Sequence, residues 1–352
     1  PNILLPKKGV DYRKYSVIAC DQFTSQPDYW EKLKEEIGDS ISTLHMIFPE
    51  AYLDKVNMSS YIEGINNRID TYLTNSDLVD IGECFVLVER ITSNGKRRLG
   101  LVLSIDLEDY TYQKGVSSLI RASEDTIIDR IPPRLKIREN APIELPHILF
   151  LYNDPNRTIT EDLFSKKDKL ECLYDFDLIA SGGHLRGYKV NDVDGIINKF
   201  YSLLNGEKDD LLFIVGDGNH SLATAKAHWD KIKTNLSLEE KENHPARYAL
   251  VEAVNIYDDG IEFEPIHRVI FNPKEDFIEK YLEVIQDKTS SKKGEIIANS
   301  PYNGEFLMPN SGPLAYKTTQ DFIDKYLENN PESSVDYIHD YKHVTDVCNK
   351  YE

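Results

Sequence analysis

One stretch of the sequence, residues 211–229, combines a strand pattern, a glycine turn and the start of a helix, and it restricts the possible folds more than any other segment. Leu211 to Val215 form an apolar run of strand length. The Gly-Asp-Gly turn interrupts this run, and apolar residues at helical spacing follow from Ser221 onward. The sequence therefore predicts a strand, a tight turn and a helix that begins at Ser221.

This turn places polar side chains at the predicted N-terminus of the helix. The residues concerned are Asp217, Asn219, His220 and Ser221, with glycine at Gly216 and Gly218. The first backbone N–H groups of a helix lack intrahelical partners, and the helix dipole adds partial positive charge, so such ends bind phosphate groups. Glycine allows close approach of a ligand to the backbone. Asp217 could hold Mg²⁺ or accept a proton, and His220 could contact a phosphate oxygen or move a proton.

The same residues also have an ordinary structural interpretation. Asp, Asn and Ser are common helix N-caps, and Gly-Asp-Gly is a common turn. His220 could be a solvent-facing histidine without a ligand. The stretch is neither a Walker A loop, which needs a Gly-Lys-[Ser/Thr] ending, nor a dinucleotide fingerprint, which needs a third glycine. Spacing alone leaves both interpretations open.

Charge and composition restrict the partners. The net charge is −19, from 41 basic and 60 acidic residues, which argues against a nucleic-acid backbone as the main partner but leaves room for a small nucleotide. No apolar run approaches the roughly 18 residues of a membrane-spanning helix, and the first residues lack a signal-peptide pattern. The four cysteines show no Cys-x-x-Cys spacing. We expect a cytoplasmic protein that acts on a small molecule, without nucleic-acid or membrane partners.

Two hairpins are predicted from strand patterns and turn residues. Residues 83–91 and 97–105 have strand patterns, and Asn94-Gly95 between them is a strong hairpin signal. Residues 246–256 and 261–271 are also strand-like, with an Asp-Gly turn between them.

Helical and strand periods alternate along the chain, which predicts the fold class. We expect an α+β protein with mixed, largely antiparallel sheets and flanking helices. The expected lobes are an N-terminal one at 1–115 and a second one at 116–352 that carries the glycine turn, or else a single compact domain.

Further site candidates lie in polar loops. Asp21 and Gln22 follow a predicted strand at 16–20, at a strand end where ligands often bind in α/β folds. A Gly-Gly-His turn carries His184, with Arg186 two residues later, and it could bring backbone N–H groups and an imidazole to a ligand. A hairpin bend with a surface histidine explains the same turn equally well.

Residues 116–146 are rich in arginine for so acidic a chain, and they also carry carboxylates. An arginine-rich segment with flanking carboxylates suits an anion and a metal, although a surface ion-pair network would use the same residue types. Pro132-Pro133 rules out one continuous helix through the segment.

The glycine turn resembles the box of a known family. The run V-G-D-G-N-H-S-L-A-T-A is similar to the D-G-H-H-R-Y-E-x-A box of the prokaryotic family called domain of unknown function 1015. Four other segments resemble the same family, and its clostridial-type branch in particular: VIACDQFTSQPDYW (17–30), RASEDTIIDRIPPR (121–134), SGGHLRGY (181–188) and EPIHRVIF (264–271). The resemblance covers most of the chain.

The resemblance implies site residues in two further elements. Arg121, Ser123, Glu124 and Thr126 match an R-x-x-E-x-T element, and His267-Arg268 is similar to the P-T-H-R element. From the residues alone, His267 could equally be a core histidine, since it lies in a strand pattern.

A more remote similarity links the box to the phosphate-binding box of the ParB and sulfiredoxin superfamily, which includes nucleotide-binding partition proteins and free-serine kinases. It implies a ParB/sulfiredoxin-like core with a nucleotide or phosphate pocket. The chain departs from the box at Ser221, where arginine is usual, and at Asn219, where the first histidine is usual. A bidentate arginine–phosphate contact is therefore missing from the box, and we expect Arg121 to supply it.

Three functional hypotheses follow, and the first is a nucleotide-dependent phosphotransferase that uses ATP or ADP with Mg²⁺. Its predicted catalytic residues are Glu124, Asp217 and His220, and Glu124 and Asp217 are also the predicted metal ligands. Its predicted phosphate-binding residues are Arg121, Gly216, Gly218, Asn219, His220, Ser221 and Arg268.

The second hypothesis is a metal-dependent hydrolase in which His184, His220, His267 and Asp217 converge on Zn²⁺ or Mn²⁺. The third is a non-catalytic protein that senses a nucleotide or an acidic metabolite. Other residues of the predicted pocket, whichever the function, are Asp21, Gln22, Ser123, Thr126 and Arg186.

Overall fold

The computed structural model describes residues 1–338 except 25, 54, 114, 115, 125–130, 207–209, 262–266, 286–288, 297–303, 310 and 311, and it also describes residues 344 and 347. The chain divides into two compact units, Pro1–Ile261 and Glu262–Glu352. The lobe boundary expected near residue 115 falls inside the first unit, between two short strands that pair with each other, Tyr110–Thr111 and Ile120–Arg121.

Helices and strands alternate along the first unit. Its helices are α1 (Tyr12–Tyr15), α2 (Pro27–Ile37), α3 (Met58–Thr74), α4 (Ile131–Arg138), α5 (Thr160–Ser165), α6 (Val193–Tyr201), α7 (Asn219–Lys233) and α8 (Leu238–Asn243). Its strands are β1 (Asn2–Pro6), β2 (Leu78–Glu83), β3 (Phe85–Ile91), β4 (Arg97–Asp106), β5 (Tyr110–Thr111), β6 (Ile120–Arg121), β7 (Ile148–Tyr152), β8 (Glu171–Asp177), β9 (His184–Val190), β10 (Phe213–Asp217) and β11 (Tyr248–Asn255).

Most of these strands join one sheet. Its order, over the residues that the structure describes, is β5-β6-β10-β7-β11-β4-β3-β9-β8, and β1 pairs separately with β2. The pairs β5–β6, β6–β10 and β7–β11 are parallel, and the other neighbours in the large sheet are antiparallel. The predicted α+β class with mixed, largely antiparallel sheets is confirmed.

The hairpin predicted from Asn94-Gly95 is also confirmed, because β3 and β4 pair antiparallel on either side of it. Gly95 has φ 78°, a backbone conformation that suits glycine in a tight hairpin turn.

The main core lies between the sheet and helices α6 and α7. Leu222, Ala225 and Trp229 of α7 are fully buried against Val215 and Phe150 of the sheet, as their helical spacing predicted. Alternate residues of β3 and β4 face a second, smaller core under β1 and β2. Burial of Leu222, Ala225 and Trp229 fixes α7, and therefore its N-terminus, on the sheet.

The N-terminal part of the first unit has its own core, built around the buried Trp30 of α2 and the apolar face of α3. The strand predicted at 16–20 is wrong, because these residues are irregular. The Cys20 carbonyl accepts a hydrogen bond from the Glu50 N–H at 2.8 Å, so the segment is bonded to a loop instead of a sheet. An apolar run of five residues is too short to distinguish a strand from an irregular buried segment.

The second unit contains β12 (His267–Phe271), α9 (Phe277–Ile285), β13 (Thr289–Ile296), β14 (Gly304–Pro309), α10 (Gly312–Asn329) and β15 (Ser334–Ile338). Antiparallel pairs join β12 to β15 and β13 to β14. No helix among the described residues of either unit is long and apolar enough to cross a membrane.

The hairpin predicted around the Asp-Gly turn at 257–260 is wrong. Strand β11 pairs with β4 and β7, whereas β12 pairs with β15. Asp258 is buried and accepts hydrogen bonds from the N–H groups of Leu99, at 2.9 Å, and Gly260, at 2.8 Å. The turn is therefore bonded to β4 and does not connect two paired strands.

Candidate functional site

The turn between β10 and α7 has the geometry of an open helix N-terminus. Gly218 is the N-cap residue, with φ 85° and ψ 26°, and as a glycine it has no side chain with which to cap the helix. A Cβ at Gly218 would lie 3.2 Å from the Cα of Ile148, so glycine is favoured both by the backbone conformation and by the close approach of β7. The helix begins at Asn219, two residues earlier than predicted.

Asn219 joins the glycine turn to the segment that follows β6. Its Oδ1 accepts a hydrogen bond from the Ser123 N–H at 3.1 Å, and its Nδ2 donates to the Ser123 Oγ at 3.0 Å. Asn219 is only 5% exposed, whereas Ser123 is exposed, so both bonds are partly sheltered from water. The structure thus brings together two predicted site residues that are far apart in sequence.

His220 meets Glu124 in the same place. The His220 Nδ1 lies 3.9 Å from the Glu124 Oε1, and the exposed fractions of the two side chains are 14% and 54%. Asp217 is exposed, and its Oδ1 accepts the Gly218 N–H at 2.7 Å. Glu124 therefore lies beside His220 in the first turn of α7, and Asp217 lies in the turn just before it, with both carboxylates exposed.

His147 is a site residue that the sequence did not indicate. Its Nε2 lies 2.8 Å from the Oγ of Ser221, the third residue of α7. The contact arises because β7 runs antiparallel to β10, with Leu149 opposite Asp217, so the residue before β7 reaches the turn after β10. Only this long-range pairing could have identified His147, since the sequence around it indicates no more than a strand.

Comparison with known families agrees with the resemblance of the box. A family model described as "Protein of unknown function (DUF1015)" matches residues 4–335. The chain belongs to the DUF1015 family. Neither the curated proteins nor the solved structures gave a match.

In this DUF1015 member, Arg121 lies on β6, the strand next to β10, but its side chain extends away from the glycine turn. Strand β6 places Arg121 opposite Ile214 of β10. Its guanidinium donates to the Ser118 carbonyl at 2.9 Å, the Ser117 Oγ at 3.1 Å and the Asp210 carbonyl at 3.3 Å. These partners precede the two strands, whereas the turn follows β10. A phosphate contact by Arg121 stays a prediction.

Asp21 and Gln22 lie in the irregular N-terminal segment. One buried oxygen of Asp21, Oδ1, has no hydrogen-bond partner among the described residues, and the Gln22 N–H donates to the Ala19 carbonyl at 3.1 Å. Desolvation, with the nearby charges of Asp21 and Glu50, raises the pKa of the Cys20 thiol to about 12. Thr126, predicted from the R-x-x-E-x-T element, lies outside the described residues.

His184 and Arg186 lie on β9, five places from β10 in the sheet order. At about 4.8 Å between neighbouring strands, β9 lies roughly 24 Å from β10, the strand that leads to the N-terminus of α7. His184 is held by Asp177 and Asp175, each at 2.7 Å, and these hydrogen bonds raise its pKa. Arg186 donates to Asp175 at 2.6 Å. The structure therefore does not bring His184 and Arg186 to His220.

His267 and Arg268 of this DUF1015 member belong to β12 in the second unit. The Arg268 Nε donates to the Gln320 Oε1 at 3.1 Å, and its guanidinium carbon lies 4.9 Å from the centre of the Tyr316 ring. No group of three or more His, Cys, Asp or Glu side chains with metal-binding geometry occurs among the residues that the structure describes.

Proposed function

We propose that the protein is a nucleotide-dependent phosphotransferase that holds phosphate groups at the N-terminus of α7. One observation supports this most. Ser123 and Glu124 from one segment meet Asn219 and His220 from another at a helix end whose N-cap residue is a glycine, and the sequence predicted all four residues. Such an end presents backbone N–H groups and partial positive charge to an anion.

The phosphate groups would bind the first-turn N–H groups and the His220 ring. Gly216 and Gly218 leave the backbone of the turn accessible, and Asn219 keeps the Ser123 segment against it. A helix N-terminus held in place in this way suits phosphoryl transfer, in which a protein contributes chiefly positioning and charge stabilisation.

Glu124 and Asp217 would hold Mg²⁺, since both present exposed carboxylate oxygens, the ligand type that this ion prefers. The ion would neutralise charge on the transferring phosphate. His220, which lies beside Glu124, can then take the proton of an acceptor hydroxyl. The donor in this proposal is ATP or ADP, and the acceptor is a small molecule with a hydroxyl or carboxyl group.

The same proposal includes a ParB/sulfiredoxin-like phosphate-binding core and a cytoplasmic location without nucleic-acid or membrane partners. The strand–glycine turn–helix box supports the first, and the net charge of −19 supports a small-molecule partner over nucleic acid. The metal-hydrolase alternative has less support, because it needs His184 beside His220, whereas His184 lies on β9 and His220 lies in α7, which follows the distant strand β10.

Thermal unfolding with ATP, ADP, CTP or pyrophosphate, each with and without Mg²⁺, tests the proposal. A ligand present at about 100 times its dissociation constant stabilises the folded state by roughly 2.7 kcal/mol, which gives a measurable shift. We expect a shift with at least one nucleotide, and we expect His220→Ala and Asp217→Asn to abolish it.

His184→Gln is the matched control, because it removes a histidine far from α7 and should leave the nucleotide shift intact. A shift with Zn²⁺ or Mn²⁺ alone that disappears in His184→Gln would contradict the proposal and favour the hydrolase. Transfer of labelled phosphate to an acceptor then separates an enzyme from a nucleotide sensor.

A further inference from the structure

Ser221 and His147 form a hydrogen-bonded pair at the α7 N-terminus, with their side chains 2.8 Å apart between Oγ and Nε2. Neither residue is fully buried or fully exposed, so a bound molecule can reach them. A serine hydroxyl within hydrogen-bond distance of an imidazole is the arrangement that activates serine as a nucleophile.

The second ring nitrogen of His147, Nδ1, has a contact of its own. Nδ1 lies 3.4 Å from the Leu145 carbonyl oxygen. A carbonyl only accepts, so the tautomer with its proton on Nδ1 donates to Leu145 and has its lone pair on Nε2. In that tautomer the Ser221 hydroxyl donates to Nε2, as a nucleophile does to its general base.

The surroundings of Ser221 favour a phosphoryl group as its electrophile. Side chains of an α-helix lean toward the N-terminus, so the Oγ of the third residue lies near the uncapped N–H groups of the first turn. Those N–H groups and the helix dipole stabilise negative charge that develops during transfer. Ser123, another serine of this site, has its Oγ bonded to the Asn219 Nδ2, which donates to it and does not act as a base.

We propose that Ser221 is the phosphoryl-accepting nucleophile of this site and His147 its general base, so that transfer passes through a phosphoserine. This rests on the proposed function for the identity of the donor. The Ser221 Oγ bonds to the terminal phosphorus of a nucleoside triphosphate while the bond to the bridging oxygen breaks, and the nucleoside diphosphate leaves. The hydroxyl proton passes to the His147 Nε2.

In the second half, the acceptor hydroxyl attacks the phosphorus and releases its proton to solvent. The Oγ–phosphorus bond breaks, and Ser221 takes its proton back from His147. The phosphoryl group ends on the acceptor, and the net reaction releases one proton.

The test is incubation of the intact protein with Mg²⁺ and ATP labelled in its terminal phosphate, followed by acid quenching and peptide mass spectrometry. We expect the label on Ser221. Ser221→Ala should abolish it, and His147→Gln should slow its appearance by about 100-fold or more, the usual contribution of a general base. Ser165→Ala, at an exposed serine of α5 that bonds only its own helix, should label like the parent chain. Circular dichroism checks that each variant is folded.

Two outcomes overturn the inference. One is a chain that binds ATP and phosphorylates an acceptor without any label on Ser221, and the other is labelling that does not depend on His147. If no nucleotide binds at all, the proposed function fails separately, and diisopropyl fluorophosphate then tests the pair alone. Modification of Ser221 that requires His147 supports the nucleophile, and an unmodified Ser221 overturns it.

Discussion

At the scale of single residues, the backbone conformation of Gly218 determines the shape of the site. Its positive φ of 85° costs an ordinary residue about 1–2 kcal/mol, and an added Cβ would also meet Ile148 at 3.2 Å. We expect Gly218→Ala to lower the free energy of unfolding by more than that strain alone, as measured by urea denaturation. Gly95→Ala is the control, since Gly95 has φ 78° with nothing within 4 Å of its Cβ position. Equal losses in the two variants would show that the Ile148 contact is unimportant.

Asn219 makes a second residue-scale prediction, because it is nearly fully buried and holds Ser123 by two hydrogen bonds. Asn219→Ala leaves the Ser123 N–H without its partner, and we expect a loss of about 1–3 kcal/mol in the free energy of unfolding. Asn243→Ala, at an exposed end of α8, should change it by less than about 0.5 kcal/mol. A similar loss in both variants would mean that the Asn219 bonds contribute little.

At the scale of elements, turn residues predicted a hairpin correctly only where the two strands beside the turn pair with each other. Asn94-Gly95 predicted the β3–β4 hairpin because the turn residues determine that connection by themselves. The Asp-Gly turn at 257–260 carried a similar signal, but Asp258 bonds the backbone of Leu99, which lies far away in sequence. The pairing of such distant segments overrides turn propensity, and no pattern within either segment reveals it.

The β8–β9 pair gives an element-scale prediction about pH. Hydrogen bonds to Asp177 and Asp175 raise the pKa of His184 above its ordinary value near 6.5. The stabilisation from this charged ring is therefore complete below the pKa of the unfolded chain and is lost as the pH rises through the folded pKa. We expect His184→Gln to lower the melting temperature more at about pH 5.5 than at about pH 8.5, because the parent chain has lost this contribution at the higher pH. Equal effects at both pH values would contradict the raised pKa.

At the scale of the whole molecule, the sequence predicted the class of fold and most members of the α7 site, but not their arrangement. Asn219, His220 and Asp217 could be found because they share one turn. Glu124 was found through the family-like element, whereas His147 depends on the order of strands β7 and β10. That order follows from the packing of the whole sheet, which short-range patterns do not encode.

The division into two units makes a prediction for the whole chain. Every residue of the α7 site lies in Pro1–Ile261, which has its own cores and sheet. We expect a fragment of residues 1–261 to unfold cooperatively and to keep the nucleotide-dependent thermal shift of the full chain. An unfolded fragment, or a folded one without the shift, would show that the second unit is needed. Calorimetry and thermal shift on the fragment and the full chain measure both properties.

The large sheet ends at β8, an edge strand in the described chain that exposes Glu171, Asp175 and Asp177. Asp175 and Asp177 bond His184, and Asp175 also bonds Arg186, so charged groups line this edge. Charged side chains on an edge strand disfavour the addition of a strand from another chain. The opposite edge, β5, is only two residues long and offers little backbone for a foreign strand to pair with. Protection of β8 depends on ionised carboxylates, so aggregation of this acidic chain should begin in acid, where those groups take up protons.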